Sequence, residues 1–183
     1  VMLASAVRDY VDNWGVSIGD RTVVVTNNDD AYLTAITMKN AGLDVPAIID
    51  TRAGGGGALA DQARALGLRI ETGKAIANVE GGKRVTGVSI CAQAGEGAVL
   101  QHINCDSVAM SGGWSPVVHL WSHCGGKLLW DDAQALFRPD GDKAPTGADG
   151  RPFVSAAGSA NDGMSLDACM VDALRSGRVA AER

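Results

Sequence analysis

The sequence predicts an α/β fold built on a parallel β-sheet. Three observations lead there. Arg21–Thr26 is an unbroken, largely apolar run of strand type, and a helical segment follows it closely. The same strand–helix alternation continues as far as Glu71. Three strand-like runs joined by glycine turns then interrupt it, before a further apolar strand returns. Helical crossovers join parallel strands, whereas short glycine turns join antiparallel ones.

Met2–Trp14 carries apolar residues at Leu3, Val7, Tyr10, Val11 and Trp14, a helical spacing that Gly15 ends. Arg21–Thr26 shows no polar alternation, the pattern of a central strand covered on both faces. Tyr32–Ala41 is helical and stops at Gly42. Val45–Asp50 is a second parallel strand, with Pro46 near its start, where a missing N–H is tolerated. Thr51–Gly57, containing four consecutive glycines, reads as a mobile surface loop. Ala58–Leu66 is a helix with Leu59, Ala63 and Leu66 on one face, and Leu68–Glu71 is a third strand. Lys74–Val79, Arg84–Ala92 and Ala98–Asn104 form the meander, turning at Gly81-Gly82 and Gly95-Glu96-Gly97. Asp106–Met110 returns as a strand and ends in Ser111-Gly112-Gly113.

After Gly113 the character changes. Val117–His123 is short and helical, Lys127–Trp130 a strand, and Pro139–Pro152 a polar loop. Phe153–Ala157 reads as a strand and Gly158–Gly163 as a turn. Met164–Arg175 is a helix with Leu166, Met170 and Leu174 on one side.

The totals exclude several classes. A net charge of −5 without a Lys/Arg cluster argues against nucleic acid or an anionic membrane as partner. No apolar run approaches the roughly 20 residues of a spanning helix, and no leader has signal-peptide character. A cytoplasmic location is the expectation. Cys91, Cys105, Cys124 and Cys169 are scattered with no CxxC, so free, mostly buried thiols are expected and disulfide-reductase chemistry is not. The start at Val1 suggests a piece of a longer polypeptide.

A β-α-β-α-β half, a meander and a returning strand follow the order of the nucleotide domains in two-dinucleotide flavoprotein reductases, a Rossmann-like FAD/NAD(P)-binding fold. In that fold the first strand–helix turn cradles pyrophosphate with glycines. Here the turn is Thr26-Asn27-Asn28-Asp29-Asp30, and Arg21–Ala41 contains no glycine. Asn can adopt the left-handed turn but keeps its Cβ. An aspartate about 5 Å from a phosphate charge costs roughly 3 kcal/mol at an effective dielectric near 20. A helix N-terminus returns only about 0.3–2 kcal/mol. Pyrophosphate is therefore not expected in this seat. Asp29 or Asp30 is expected to cap the helix with its own carboxylate. Asp50, at the end of the second strand, could accept from a ribose hydroxyl, but a bond to its own following turn is the commoner use.

VVVTNNDDAY, SGGWSPVVHLWSHCGGKLLWDD and FVSAAGSANDGMSL resemble the alpha subunit of heterotetrameric sarcosine oxidase, over essentially the whole chain. That resemblance implies an enzyme that oxidatively demethylates sarcosine to glycine with formation of hydrogen peroxide. It implies NAD in the complete alpha subunit, flavins and folate elsewhere in the complex, and the other subunits as partners. It also implies that residues 20–113 are an inserted second nucleotide-binding-like domain. Residues 1–19 and 114–183 would then be parts of an incomplete first dinucleotide-binding domain. On this reading Gly112, Gly113, Trp114, Gly158, Ser159 and Asn161 are this segment's contribution to NAD binding. Ser159 stands where related families often carry Asp. The plain alternative is that these residues are strand-ending turns.

His119 and His123 share a helical face, a spacing that zinc sites use, but no paired cysteines or HExxH accompany them, and half-buried packing is expected instead. No residue is assigned a catalytic role. Three functional readings remain: an NAD-holding scaffold within an oxidoreductase subunit, a non-catalytic interaction module presenting Trp14, Trp114, Trp121 and Trp130, and a stand-alone NAD-dependent reductase. The glycine-free turn disfavours the last.

Overall fold

The computed structural model describes residues 1–94, 97–132 and 136–182. The chain divides into two compact units, Val1–Gly113 and Trp114–Arg183.

The first unit contains a five-stranded, all-parallel sheet. Its strands are β1 (Met2–Leu3), β2 (Thr22–Thr26), β3 (Ile48–Asp50), β4 (Ile70–Thr72) and β8 (Ser107–Ser111), in the order β1-β8-β2-β3-β4. Helices α1 (Ala4–Trp14), α2 (Asp30–Asn40) and α3 (Ala58–Ala65) connect them. The meander is β5 (Lys74–Gly81), β6 (Val85–Ala92) and β7 (Gln101–Asn104), paired antiparallel in that order. Of its second expected turn, Gly95 and Glu96 lie outside the described residues.

The sheet is buried from both sides, and its period of two sorts side chains between two cores. Val24, Ile48 and Ala109 face the helices, among Ala4, Val7, Ala31, Tyr32, Ala35 and Ala63. Val23, Val25, Ile49 and Val108 face the meander, among Val88, Ile90 and Ile103. This accounts for the absence of a polar face in β2, where every residue is buried. The two threonines of β2 are satisfied internally: Thr22 Oγ1 lies 2.6 Å from Ser107 Oγ, and Thr26 Oγ1 donates to the Asn28 carbonyl at 2.8 Å.

Most expected elements are present with shifted ends. The second strand shortens to Ile48–Asp50 because Pro46 and its neighbours lie outside the ladder. The N-terminal segment pairs within this unit: Met2 pairs with Ala109 and Leu3 with Met110, and Thr34 Oγ1 donates to the Ala4 carbonyl at 3.0 Å.

The second unit holds α4 (His119–His123), the hairpin β9 (Leu128–Asp131) with β10 (Leu136–Pro139), two 3-10 turns (Gly141–Lys143 and Gly158–Asn161), and α5 (Leu166–Ala181). Phe153–Ala157 is not a strand: Pro152 makes one isolated bridge to Thr146, and the ladder goes no further. Strand β10 falls in a stretch with no strand pattern of its own and is held by its antiparallel pairing with β9. Helix α5 runs beyond Arg175, through Gly177, to Ala181, and none of its residues is buried. Trp121 is the buried aromatic of this unit; its Nε1 donates to the Lys127 carbonyl at 2.7 Å over Gly126, where a Cβ would stand 2.4 Å from that nitrogen.

Ile49 is fully buried between sheet and meander. Truncating it (Ile49→Ala) should destabilise the protein by about 2–5 kcal/mol, the usual range for emptying such a site. Urea unfolding followed by circular dichroism measures the loss.

Candidate functional site

In an open parallel sheet, ligands sit beyond the carboxyl ends of the strands where the order reverses. Here that place lies between β2 and β8. The turn after β2, the loop after β3 and the Ser111-Gly112-Gly113 end of β8 meet there.

Two asparagines lace the crevice. Asn27 Nδ2 donates to the Gly112 carbonyl at 3.0 Å, and Asn28 Nδ2 donates to Ser111 Oγ at 2.8 Å. Gly113 has φ +88°, and a Cβ on it would lie 3.2 Å from Asn27 Oδ1. Asn28 Oδ1 is buried with no hydrogen-bond partner among the described residues.

Neither aspartate caps α2. Asp29 is the N-cap residue, but its side chain makes no capping bond. The expectation fails because each carboxylate is turned to a guanidinium, where both partners carry charge, rather than to a backbone N–H, where only the acceptor does. Asp29 Oδ1 accepts from Arg52 Nη2 at 2.7 Å. Asp30 accepts from Arg8 Nη1 and Nη2 of α1 at 3.1 and 3.2 Å.

Asp50 is fully buried at the end of β3. Its Oδ1 accepts from the Arg52 backbone N–H at 2.9 Å and from Arg52 Nε at 3.1 Å. Its Oδ2 accepts from Arg52 Nη2 at 2.8 Å and from the Tyr32 hydroxyl at 2.7 Å. Burial pulls the Asp50 pKa up, but the bonds from Arg52 and Tyr32 outweigh it and hold the carboxyl below its ordinary range. Burial first, and then Asp50, pushes the Tyr32 phenol well above its ordinary value. The bonds to Asp50 hold Arg52 firmly protonated. The cluster sums to three carboxylates and two guanidiniums.

The glycine run takes part, so it is more than a surface loop. Gly55 is buried against Asp50, and a Cβ on it would fall 2.2 Å from Asp50 Oδ2. Gly57, the N-cap of α3 with φ +105°, would place a Cβ 3.0 Å from Asp29 Oδ2. Arg52, Arg8 and Tyr32 were missed in the sequence; the one readable trace was the Asp-x-Arg spacing of Asp50 and Arg52.

Of the proposed dinucleotide contacts, Gly112 and Gly113 lie in the first unit, and Trp114, Gly158, Ser159 and Asn161 in the second. Gly158 N–H and Asn161 Nδ2 converge on Asp172 Oδ2 of α5 at 2.9 and 3.1 Å. Desolvation of Asp172 is outweighed by the bonds from Asn161, Gly158 and Arg175, so its carboxyl also titrates low. Ser159 is exposed. His119 and His123 are exposed rather than half-buried, because Trp121 takes the inward position of α4. Among the described residues no group of three His, Cys, Asp or Glu side chains could hold a metal ion, and no helix is long and apolar enough to cross a membrane. Cys91 and Cys105 are buried, Cys169 half-buried and Cys124 exposed.

No family model matches the chain. It is 33% identical over 141 residues to the sarcosine oxidase subunit alpha of Rhizobium meliloti (strain 1021), covering 77% of this chain and 13% of that protein. It is 38% identical over 144 residues to the sarcosine oxidase subunit alpha of Corynebacterium sp. (strain P-1), covering 76% of this chain and 15% of that protein. The chain is thus similar to a segment of these subunits and spans 13–15% of their length. Among solved structures it superposes on T. acidophilum thioredoxin reductase with a TM-score of 0.63 at 21% identity, over 83% of this chain and 48% of that one. A FAD-dependent pyridine nucleotide-disulphide oxidoreductase from Desulfovibrio vulgaris gives 0.50 at 16%, over 73% and 36%. The fold is therefore that of the FAD/NAD(P)-binding oxidoreductases, as the element order implied.

The depressed Asp50 pKa fixes a pH dependence. A carboxylate bound more tightly by protons in the unfolded chain stabilises the fold above its unfolded pKa, and that stabilisation is lost as pH falls through the folded pKa. Asp50→Asn should lower stability by about 1–3 kcal/mol at pH 7, the cost of stranding one charged hydrogen-bond partner that solvent still reaches. The variant should also lose the Asp50 part of the acid limb below about pH 4. Urea midpoints from pH 2 to 7, compared between the two proteins, read both effects.

Proposed function

We propose that this chain is the nucleotide-domain scaffold within the alpha subunit of a cytoplasmic sarcosine oxidase. That enzyme demethylates sarcosine to glycine and passes the electrons to oxygen, giving hydrogen peroxide. The identity to sarcosine oxidase alpha subunits carries this reading: 33–38% over 76–77% of the chain. The reductase-like fold agrees with it.

In this reading residues 20–113 are the inserted second nucleotide-like domain. Residues 1–19 and 114–183 are parts of an incomplete first dinucleotide-binding domain. NAD belongs to that first domain, with Gly112, Gly113, Trp114, Gly158, Ser159 and Asn161 as this segment's contacts. Gly112 has open space around its Cα, and Ser159 is exposed within a turn whose Gly158 N–H and Asn161 Nδ2 donate to Asp172. Flavin and folate belong to other parts of the assembly. No side chain in this segment is assigned to the oxidation itself.

A second reading makes the segment a subunit-docking module. Three of its tryptophans favour it: Trp14, Trp114 and Trp130 are each at least half exposed, and aromatic side chains are enriched at protein interfaces. The two readings are compatible in a multi-subunit enzyme.

Denaturing the purified protein and analysing the supernatant by absorbance and mass tests the cofactor assignment. NAD should be released in stoichiometric amount, and Ser159→Trp should remove it while leaving the circular dichroism spectrum unchanged. Absence of NAD from the native protein, or full NAD retention in the Ser159→Trp variant, would count against the assignment.

A further inference from the structure

The Val1–Gly113 unit has the architecture of a dinucleotide-binding domain but does not fit a dinucleotide. From the way each part of the seat is filled, we infer that this domain is self-liganded. The Asp29 carboxylate stands in for the ligand's phosphate, the Arg52 guanidinium stands in for its ribose, and the domain takes no nucleotide of its own.

In a nucleotide-occupied domain of this type, pyrophosphate meets the turn after the first strand and the start of the following helix. Ribose hydroxyls donate to an acidic residue at the end of the second strand. Both roles are performed here by the protein. Asp50, at the end of β3, receives N–H donors from Arg52 at 3.1 and 2.8 Å, where hydroxyl donors from a ribose would approach. The same guanidinium continues to Asp29 at 2.7 Å, at the turn after β2. Arg52 therefore spans the two positions that a nucleotide would span, with its positive end on both carboxylates.

Three further observations close the seat. Gly55 packs so closely on Asp50 that a Cβ there would fall 2.2 Å from Oδ2, so the 51–57 loop covers the carboxylate a ribose would approach. Asn27 and Asn28 tie the turn to Gly112 and Ser111 across the crevice. The turn itself keeps a Cβ at every position from Thr26 to Asp30, where close approach of a pyrophosphate calls for glycine. The buried acceptor Asn28 Oδ1 does not reopen the case, since the fully ionised pyrophosphate of a dinucleotide brings no proton to it. The inference holds whichever cofactor the flanking unit takes, and it fails independently of the NAD assignment above.

Because the occupant is a side chain, removing its charge should uncover an anion site. The probes are inorganic phosphate and ADP, each against sodium chloride at matched ionic strength, with thermal unfolding as the readout. The native protein should show no shift with either probe that Arg52→Gln abolishes, a criterion that sets aside any binding of ADP to the flanking unit. Asp29→Asn keeps the volume, removes the charge that Arg52 Nη2 meets at this turn while its bond to Asp50 remains, and should gain a phosphate-dependent rise in Tm of about 2–4 °C, the shift produced by modest ligand linkage in a domain of this size. Asp29→Asn combined with Arg52→Gln should lose that gain. Asp29→Ser serves as the second variant should the asparagine disturb folding. The inference is overturned if ADP or phosphate stabilises the native protein and Arg52→Gln abolishes that response. It is equally overturned if both folded Asp29 variants remain unresponsive to phosphate.

Discussion

One guanidinium organises the edge of the sheet on which function was expected. Arg52 sits on the loop after β3 and turns back to hold Asp50 through Nε and Nη2 while reaching Asp29 on the turn after β2. A buried carboxylate without partners would cost several kcal/mol. Asp50 avoids that cost only because Arg52 and Tyr32 satisfy both of its oxygens. The arrangement reaches outward from there. Tyr32 belongs to α2, so the pairing fixes the start of that helix against β3. Arg8 of α1 holds the neighbouring Asp30, so α1 is drawn to the same point. Gly55 must be glycine for the loop to pass over Asp50 at all.

The sheet supports this cluster by being covered on both faces. Helices on one side and the meander on the other leave β2, β3 and β8 with no solvent-facing residues in their centres. A rigid, doubly buried sheet places strand ends reproducibly, and side chains anchored at those ends inherit that precision. Thr22 and Ser107 close the opposite end of the same strand pair with a buried hydroxyl bond. Strands β2 and β8 are therefore pinned at both ends, by hydroxyls below and by asparagine amides above.

Much of this was legible in the sequence, because buried strands announce themselves. TVVVT and IID have no polar face, and the glycine turns at Gly81-Gly82 mark the meander without ambiguity. The mismatch at Asn27–Asp30 was also legible, since missing glycines and extra carboxylates are plain residue facts. What the sequence hid was the destination of long side chains. Asp29 looks like a helix cap from its position alone, and only the structure shows Arg52 outcompeting the helix N–H groups for it. Asp50 looked like a ribose ligand or a turn former, and its bond to the Arg52 backbone N–H makes it partly the latter. Phe153–Ala157 failed as a strand for a different reason. Strands are stabilised by partners, and pattern alone does not provide one.

The second unit illustrates how a polar knot can set geometry where apolar burial is scarce. Helix α5 buries none of its residues, and an isolated helix of its length is marginal in water. Its beginning is nevertheless well defined: Ser165 accepts from the Ala168 N–H at 3.2 Å. One turn on, Asp172 gathers Gly158 N–H, Asn161 Nδ2 and Arg175. Gly158 can make this approach because its φ of +62° turns the chain sharply, and a Cβ there would already touch Cys169 Sγ at 3.5 Å. The Gly158 N–H and the Asn161 amide group are committed to the protein, whereas Ser159 stays exposed. The negative charge of this turn therefore sits on Asp172 of α5, behind the exposed Ser159.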